Sequence, residues 1–172
     1  MSPVVEVVRT YLELRSPAQL RPVRTDDASV AFVRRVHVSV DDYRRLYRAV
    51  GERWHWKDRN AWSDDRLAEH LASPDVTVWE CVAAGESAGF FELQRQQDGS
   101  VEIAYFGLVE RFMGRGFGKA MLTRAAEEAW ALAPSRVWLH TCTLDSPRAL
   151  PNYRARGFEE TRRETFVVRL PE

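Results

Sequence analysis

The chain of 172 residues is 45% hydrophobic and 29% charged, with nine glycines and eight prolines, a composition that suits one folded domain with its own core. Its 25 basic and 25 acidic residues cancel, which excludes the electrostatic footprint of a nucleic-acid or anionic-membrane partner. Two cysteines, Cys81 and Cys142, exclude a disulfide framework and a cysteine-based zinc site, and no apolar run reaches the roughly 18 residues of a membrane span. A soluble, cytoplasmic protein is the expectation.

In chain order, Val4 to Leu14 is rich in β-branched residues and partly alternates. Charge runs through its apolar part, so it reads as a first strand and not as a signal peptide. Ser16-Pro17 and Arg21-Pro22 punctuate the chain, and Val30 to Val40 is a second β-prone run. At Ser39 the period changes. Ser39 is placed to cap a helix on which Tyr43, Leu46, Tyr47 and Val50 recur at helical spacing. Ser63 caps a second, shorter helix to Leu71, with Leu67 and Leu71 on one face. Three strands follow, Val76 to Ala83, Ser87 to Gln94 and Val101 to Val109. Ala84-Gly85-Glu86 and Gln97-Asp98-Gly99 join them as hairpins, which makes an antiparallel meander. A glycine-rich turn leads into a helix from Gly118 to Leu132, with Met121, Leu122, Ala125 and Ala129 on its inner stripe. Arg136 to Leu144 is the next strand, Ala149 to Arg156 a helix stopped by Gly157, and Thr161 to Leu170 the last strand. The fold class is α/β, a central mixed sheet with an antiparallel N-terminal meander and helices on its faces.

The most informative stretch is Leu108 to Lys119. Glycine at 114, 116 and 118 lets several backbone N–H groups converge at a helix N-terminus, where aligned amides and the positive end of the dipole hold a phosphate. Arg115 and Lys119 add charge on the same turn. A plain tight turn between strand and helix accounts equally for three alternating glycines. Two other phosphate motifs fail. A Walker loop ending at Gly118-Lys119 needs glycine at Met113 and a hydroxyl at Ala120. A dinucleotide fingerprint needs G-x-G-x-x-G and an acid closing the next strand, and the spacing here is G-x-G-x-G.

What remains resembles the GCN5-related N-acetyltransferase (GNAT) superfamily. Its signature, Arg/Gln-x-x-Gly-x-Gly/Ala, falls on Met113 to Gly118: both glycine positions match, and methionine stands where Arg or Gln is usual. The family's Asn-x-x-Ala-x-x-x-Tyr-x-x-x-Gly-Phe is matched in register by Ala149, Tyr153, Gly157 and Phe158, with Ser146 in place of Asn. The order strand, turn, helix, strand, helix also agrees, and the resemblance covers Val76 to Leu170.

The resemblance implies a GNAT-like fold in a single domain over 1–172, with acetyl-CoA as co-substrate and no metal. The reaction it implies is acetyl transfer to a primary amine by direct attack in a ternary complex. Cofactor contacts would come from the backbone of Phe106, Gly107 and Leu108, from Gly114, Arg115, Gly116, Phe117, Gly118 and Lys119 of the turn, and from Ser146 and Tyr153. Tyr153 is the implied acid for the leaving thiolate, with a core aromatic beside Phe158 as the plain alternative. Glu102 stands eleven residues ahead of Met113, the offset of the catalytic glutamate in histone acetyltransferases of the superfamily. Desolvation among Val101, Ile103 and Ala104 would raise its pKa, as suits a base; a solvent-facing strand glutamate is the plain alternative. The glutamate that ribosomal-protein N-terminal acetyltransferases place five residues before the Asn position is Thr141 here. A water relay, His140 and His55 are the other candidate bases.

In the superfamily the first two helices and the loop between them bound the acceptor site. That loop, Trp54 to Trp62, holds three tryptophans. Trp54, His55, Trp56 and Trp62 read as an aromatic wall for an apolar or cationic amine, against a satellite core sealed under the loop. Arg44, Arg45, Arg48, Arg154 and Arg156 read as solvated helix faces. An enclosed pocket favours a small-molecule amine. A protein or peptide acceptor is the alternative within the class, and a non-catalytic acyl-CoA-binding module the alternative outside it. A homodimer is left open.

Overall fold

Ser39 and Ser63 each accept a hydrogen bond from the N–H three residues on, at 3.1 and 3.2 Å. These side chains satisfy amides that the first helical turn leaves unpaired and fix the starts of α1 (Val40–Gly51) and α2 (Asp64–Ala72). The computed structural model describes residues 2–171. Its other elements are β1 (Val4–Leu14), β2 (Val30–Arg34), β3 (Val76–Ala83), β4 (Glu86–Arg95), β5 (Val101–Leu108), α3 (Phe117–Ala131), β6 (Val137–Cys142), α4 (Ala149–Ala155) and β7 (Glu159–Arg169).

The strands form one mixed seven-stranded sheet in the order β2-β3-β4-β5-β6-β1-β7. β3 to β5 are the expected antiparallel meander, and β2 extends it by pairing antiparallel with β3. Ala84 and Gly85 both take positive φ in the first hairpin, as a two-residue turn matched to strand twist requires. Strand alternation divides the core. Phe90 packs with Tyr43, Tyr47 and Leu67 under α1 and α2, while its neighbour Phe91 joins Met121, Leu122 and Ala125 of α3 on the opposite face.

Several boundaries differ from the sequence expectation. The run from Val30 leaves the sheet at Arg34, because His37 adopts a left-handed φ of 58° to bring the chain to Ser39. β6 stops at Cys142, where Asp145 accepts from the Cys142 N–H at 2.9 Å and turns the chain away. The loop between α1 and α2 is not irregular: it contains short 3-10 turns at Glu52–Trp54 and Arg59–Ala61.

Two departures from regularity shape the site. Between Glu92↔Tyr105 and Leu93↔Ile103 the register slips, and Ala104 is the extra residue of a bulge. The bulge shifts the alternation by one. Glu102 and Tyr105 thus both face the cavity on the α1 side, while Phe106 turns toward α4. In addition, β5 and β6 pair in parallel only at Val101↔Val137 and Glu102↔Trp138. Beyond these pairs the strands part, and a cavity of about 930 Å³ crosses the sheet through the gap.

Candidate active site

One end of the cavity is built by the glycine turn. Gly114 and Gly116 adopt φ of 80° and 82°, a region that costs L-residues with a Cβ about 1–2 kcal/mol. Gly116 is the N-cap residue of α3 and has no side chain to cap with, and the first turn of α3 carries no acid. The opening amides are therefore left to a ligand. Gly114, Gly116, Gly118 and Lys119 line the cavity, as do Phe106, Gly107, Leu108, Ser146 and Tyr153.

Two expected contacts are not made by their side chains. Phe117 is 3% exposed and belongs to the core under α3, because the first turn of a helix packed on a sheet must send one residue inward. Arg115 swings off the turn, its guanidinium 5.5 Å from the Phe112 ring centroid, and it does not line the cavity. Arg148 does: its Nη1 lies 3.5 Å from where a Cβ on Gly114 would stand. This arginine overhangs the turn at the end where Met113 replaces the family's cationic or amide side chain.

At the gap, the edge of β5 from Ile103 to Leu108 has no β6 partner, so its backbone groups on that side are open to an extended ligand. Gly107 permits a close approach, since a Cβ there would meet Val50 Cγ1 at 2.5 Å. Tyr153 projects from α4 and packs edge-on against Phe106 and Phe158 at 6.0 and 6.2 Å. Burial, and then the Asp145 carboxylate, push its hydroxyl pKa up, which keeps the proton in place at neutral pH. Asp145 accepts from Thr141 Oγ1 at 2.7 Å and from Trp56 Nε1 at 3.4 Å. It thereby ties the β6–α4 connection to the loop across the gap. Asn152 Nδ2 donates to the Gly118 carbonyl at 3.2 Å, fixing α4 against the head of α3.

Across the gap, Glu102 is not solvent-facing. Its side chain is 14% exposed, Gln96 Nε2 donates to it at 2.8 Å, and His140 Nε2 lies 3.9 Å away. Burial raises its pKa, and the charge of Glu92 adds to the effect against the opposing Arg59 and the Gln96 hydrogen bond. His140 is pushed the other way, down, by burial and then by Arg9.

The tryptophan loop divides its labour. Trp54, His55 and Trp56 line the cavity. Trp56 also packs on Tyr47, Tyr105 and Phe90, so it is both wall and core. Trp62 is a correction. It lies away from the cavity, edge-on to His70 at 5.1 Å and between the guanidinium groups of Arg59 and Arg66, because the 3-10 turn at Arg59–Ala61 carries it past the opening.

Arg44 is a second correction. It donates to the carbonyls of Arg59 and Trp62 at 3.0 and 2.8 Å and pins the loop to α1. Arg156 likewise is buried, donating to the Arg21 carbonyl and to Asn152. Beneath the loop, fully buried Glu92 accepts from Tyr43, from Arg59 at 2.9 Å and from His70 Nε2 at 3.0 Å.

Sequence patterns carry no signal for Asp145, Arg9 or Arg59, which matter through tertiary placement. Arg148 occupies a variable position inside the second motif. Among the described residues, no group of three or more His, Cys, Asp or Glu is arranged to hold a metal, and no helix is long and apolar enough to cross a membrane.

A family model described as "Acetyltransferase (GNAT) family" matches residues 41–158. No curated protein matches the chain. Among solved structures, a GCN5-related N-acetyltransferase from Kribbella flavida superposes with a TM-score of 0.65 at 17% identity, covering 98% of this chain and 60% of that one. A GCN5-related N-acetyltransferase from Sphaerobacter thermophilus gives 0.65 at 20% identity, with 96% and 51% covered. An aminoglycoside acetyltransferase from an uncultured soil metagenomic sample gives 0.62 at 16% identity, with 75% and 88% covered. These likenesses are of fold. The chain spans only 62% of another neighbour, a protein of unknown function from Staphylococcus epidermidis, and about half to three fifths of the two GCN5-related structures above.

Proposed function

The chain belongs to the GNAT acetyltransferase family, and from that premise we propose that it is an acetyl-CoA-dependent N-acetyltransferase acting on a primary amine of a small molecule. The observation that carries this reading is the single cavity that joins the glycine turn to Glu102 through the parted strands. The residues present fit acetyl-CoA: an uncapped helix head, positive-φ glycines with open space over Gly116, Lys119 and Arg148 beside them, and an unpaired strand edge leading to Tyr153.

Bound there, acetyl-CoA supplies an activated thioester carbonyl. The amides of the turn and the two cations hold its phosphates. The free edge of Phe106 to Leu108 aligns the pantetheine, and Tyr153 Oη donates a proton to the departing sulfur. Glu102 accepts the proton that the ammonium must lose before its nitrogen can attack, directly or through a water. The new C–N bond forms as the C–S bond breaks, the bonded nitrogen gives its second proton to the Tyr153 oxygen that has just protonated the sulfur, and Glu102 returns its proton to solvent. Trp54, His55 and Trp56 enclose the acceptor.

Thiol release from acetyl-CoA across a panel of amines, amino acids, polyamines and peptides tests this. Amine-dependent release is expected, with Tyr153→Phe lowering kcat at nearly unchanged acetyl-CoA Kd. Binding of acetyl-CoA without any amine-dependent release would leave an acyl-CoA-binding module in its place.

A further inference from the structure

β6 ends opposite Arg9, so the preceding part of β1 pairs with β7 alone. This two-stranded extension brings Val7, Arg9, Phe166 and Val168 to the acceptor end of the cavity. Arg9 stands at the corner where β6 ceases, across from Cys142.

Its bonding is incomplete. The guanidinium lies 4.8 Å from the Phe166 ring centroid, which fixes its plane, but Nε is shut off from solvent and has no hydrogen-bond partner. Buried polar atoms are seldom left this way, and the rest of the side chain, 35% exposed, lines the cavity. The nearest carboxylate, Glu164, is 3.9 Å from Nη1, too far for a hydrogen bond. Glu164 is also committed elsewhere, accepting from Tyr11 Oη at 3.0 Å and from Arg162.

The other groups that face this region do not complete it. His140 is pushed toward its neutral form. Asp145 is engaged with Thr141, Cys142 and Trp56. Arg59 is buried and ion-paired with Glu92 at 2.9 Å through Nη2, although its own Nε also lacks a partner. Arg9, with its side chain 35% exposed, lines the cavity without a carboxylate at hydrogen-bonding distance; Lys57 also lines it without one, but stands exposed on the loop.

We propose that the acceptor amine also carries a carboxylate, as an amino acid does, and that Arg9 holds it. A carboxylate offers two oxygens to the planar fork of a guanidinium, here to the two Nη groups, since Nε is closed off. Val7, Phe166 and Val168 then cover an apolar side chain. The proposal rests on the transferase reading only for the fate of the amine; recognition of the carboxylate stands apart from turnover.

Equilibrium binding separates the two. Calorimetry with the protein loaded with CoA, which has no acetyl group to give, or without it, would compare amino acids with their carboxamides, and with phosphoethanolamine as the phosphate-bearing probe. At least one amino acid should bind about tenfold to a hundredfold more tightly than its carboxamide, the range for a charge-assisted pair. The preference should vanish in Arg9→Gln and persist in part in Arg9→Lys, which keeps the charge and loses the fork. An unchanged acetyl-CoA Kd would show that both variants are folded. Should Arg9→Gln not fold, Arg9→Lys with the wild-type acid-to-carboxamide ratio decides. No binding by any amino acid, a preference that survives Arg9→Gln, or tighter binding of phosphoethanolamine would overturn the proposal. Arg9-dependent binding of acids without acetyl transfer would instead break the transferase reading and leave this subsite standing.

Discussion

Gly116 sits at φ 82° with nothing within 4 Å of where a Cβ would point, so a side chain there is opposed by torsion and by whatever ligand lies over the turn. Gly116→Val is expected to raise the acetyl-CoA Kd far more than Met113→Ala, because amides and not the residue-113 side chain form the cradle. Equal effects by calorimetry would contradict that. Glu102 carries the second expectation at this scale. A base works in its deprotonated form, so kcat/KM should rise with pH through the Glu102 pKa. Burial and Glu92 put that pKa above the ordinary glutamate range. Glu102→Gln should lose about 10²–10⁴-fold near neutrality, flatten the acidic limb, and recover part of the loss at high pH, where the amine deprotonates unaided. A deficit equal at every pH would make Glu102 a positioning residue. Both positions were legible in the sequence because a motif or a fixed offset marks them. Arg115 and Phe117 were legible only as turn members, since side-chain direction at a helix head depends on what the helix packs against.

Among the elements, α1 and α2 were readable to within a residue because Ser39 and Ser63 cap them locally. The loop between them was not, because its order comes from partners distant in sequence. Arg44 reaches its carbonyls, and Glu92 of β4 anchors Arg59 from below. Burial alone would raise the Glu92 pKa, but the His70 hydrogen bond, Arg59 and Tyr43 outweigh it and hold the carboxyl below its ordinary value. A group depressed in the folded state stabilises above its unfolded pKa, about 4.3, and that contribution is lost as pH falls through the folded value. The Tm should therefore drop on acidification below about pH 4.3, and less steeply in Glu92→Gln. At neutral pH that variant should be less stable by about 3–5 kcal/mol, the cost of stranding a buried charge. Parallel Tm–pH curves for the two proteins would show that Glu92 is not titrating in this window.

Across the whole molecule, the meander and the glycine turn followed from local patterns, whereas the place of β1 did not. Its pairing with β6 and β7 joins segments more than a hundred residues apart, and nothing in Val4 to Leu14 records which strands flank it. That placement nonetheless puts Arg9 into the acceptor end, opposite the donor turn, so that one cavity spans both. Cys142 also lines it, but burial, and then Asp145, raise its thiol pKa and keep it protonated, unsuited to accept an acetyl group from the donor. In the proposed mechanism, donor and acceptor are therefore present together. Initial velocities measured with acetyl-CoA and a productive amine both varied test this most directly. Intersecting double-reciprocal lines, with no acetylated protein detected by mass spectrometry after incubation with acetyl-CoA alone, are the expected result. Parallel lines with an acetyl group on Cys142 would contradict it.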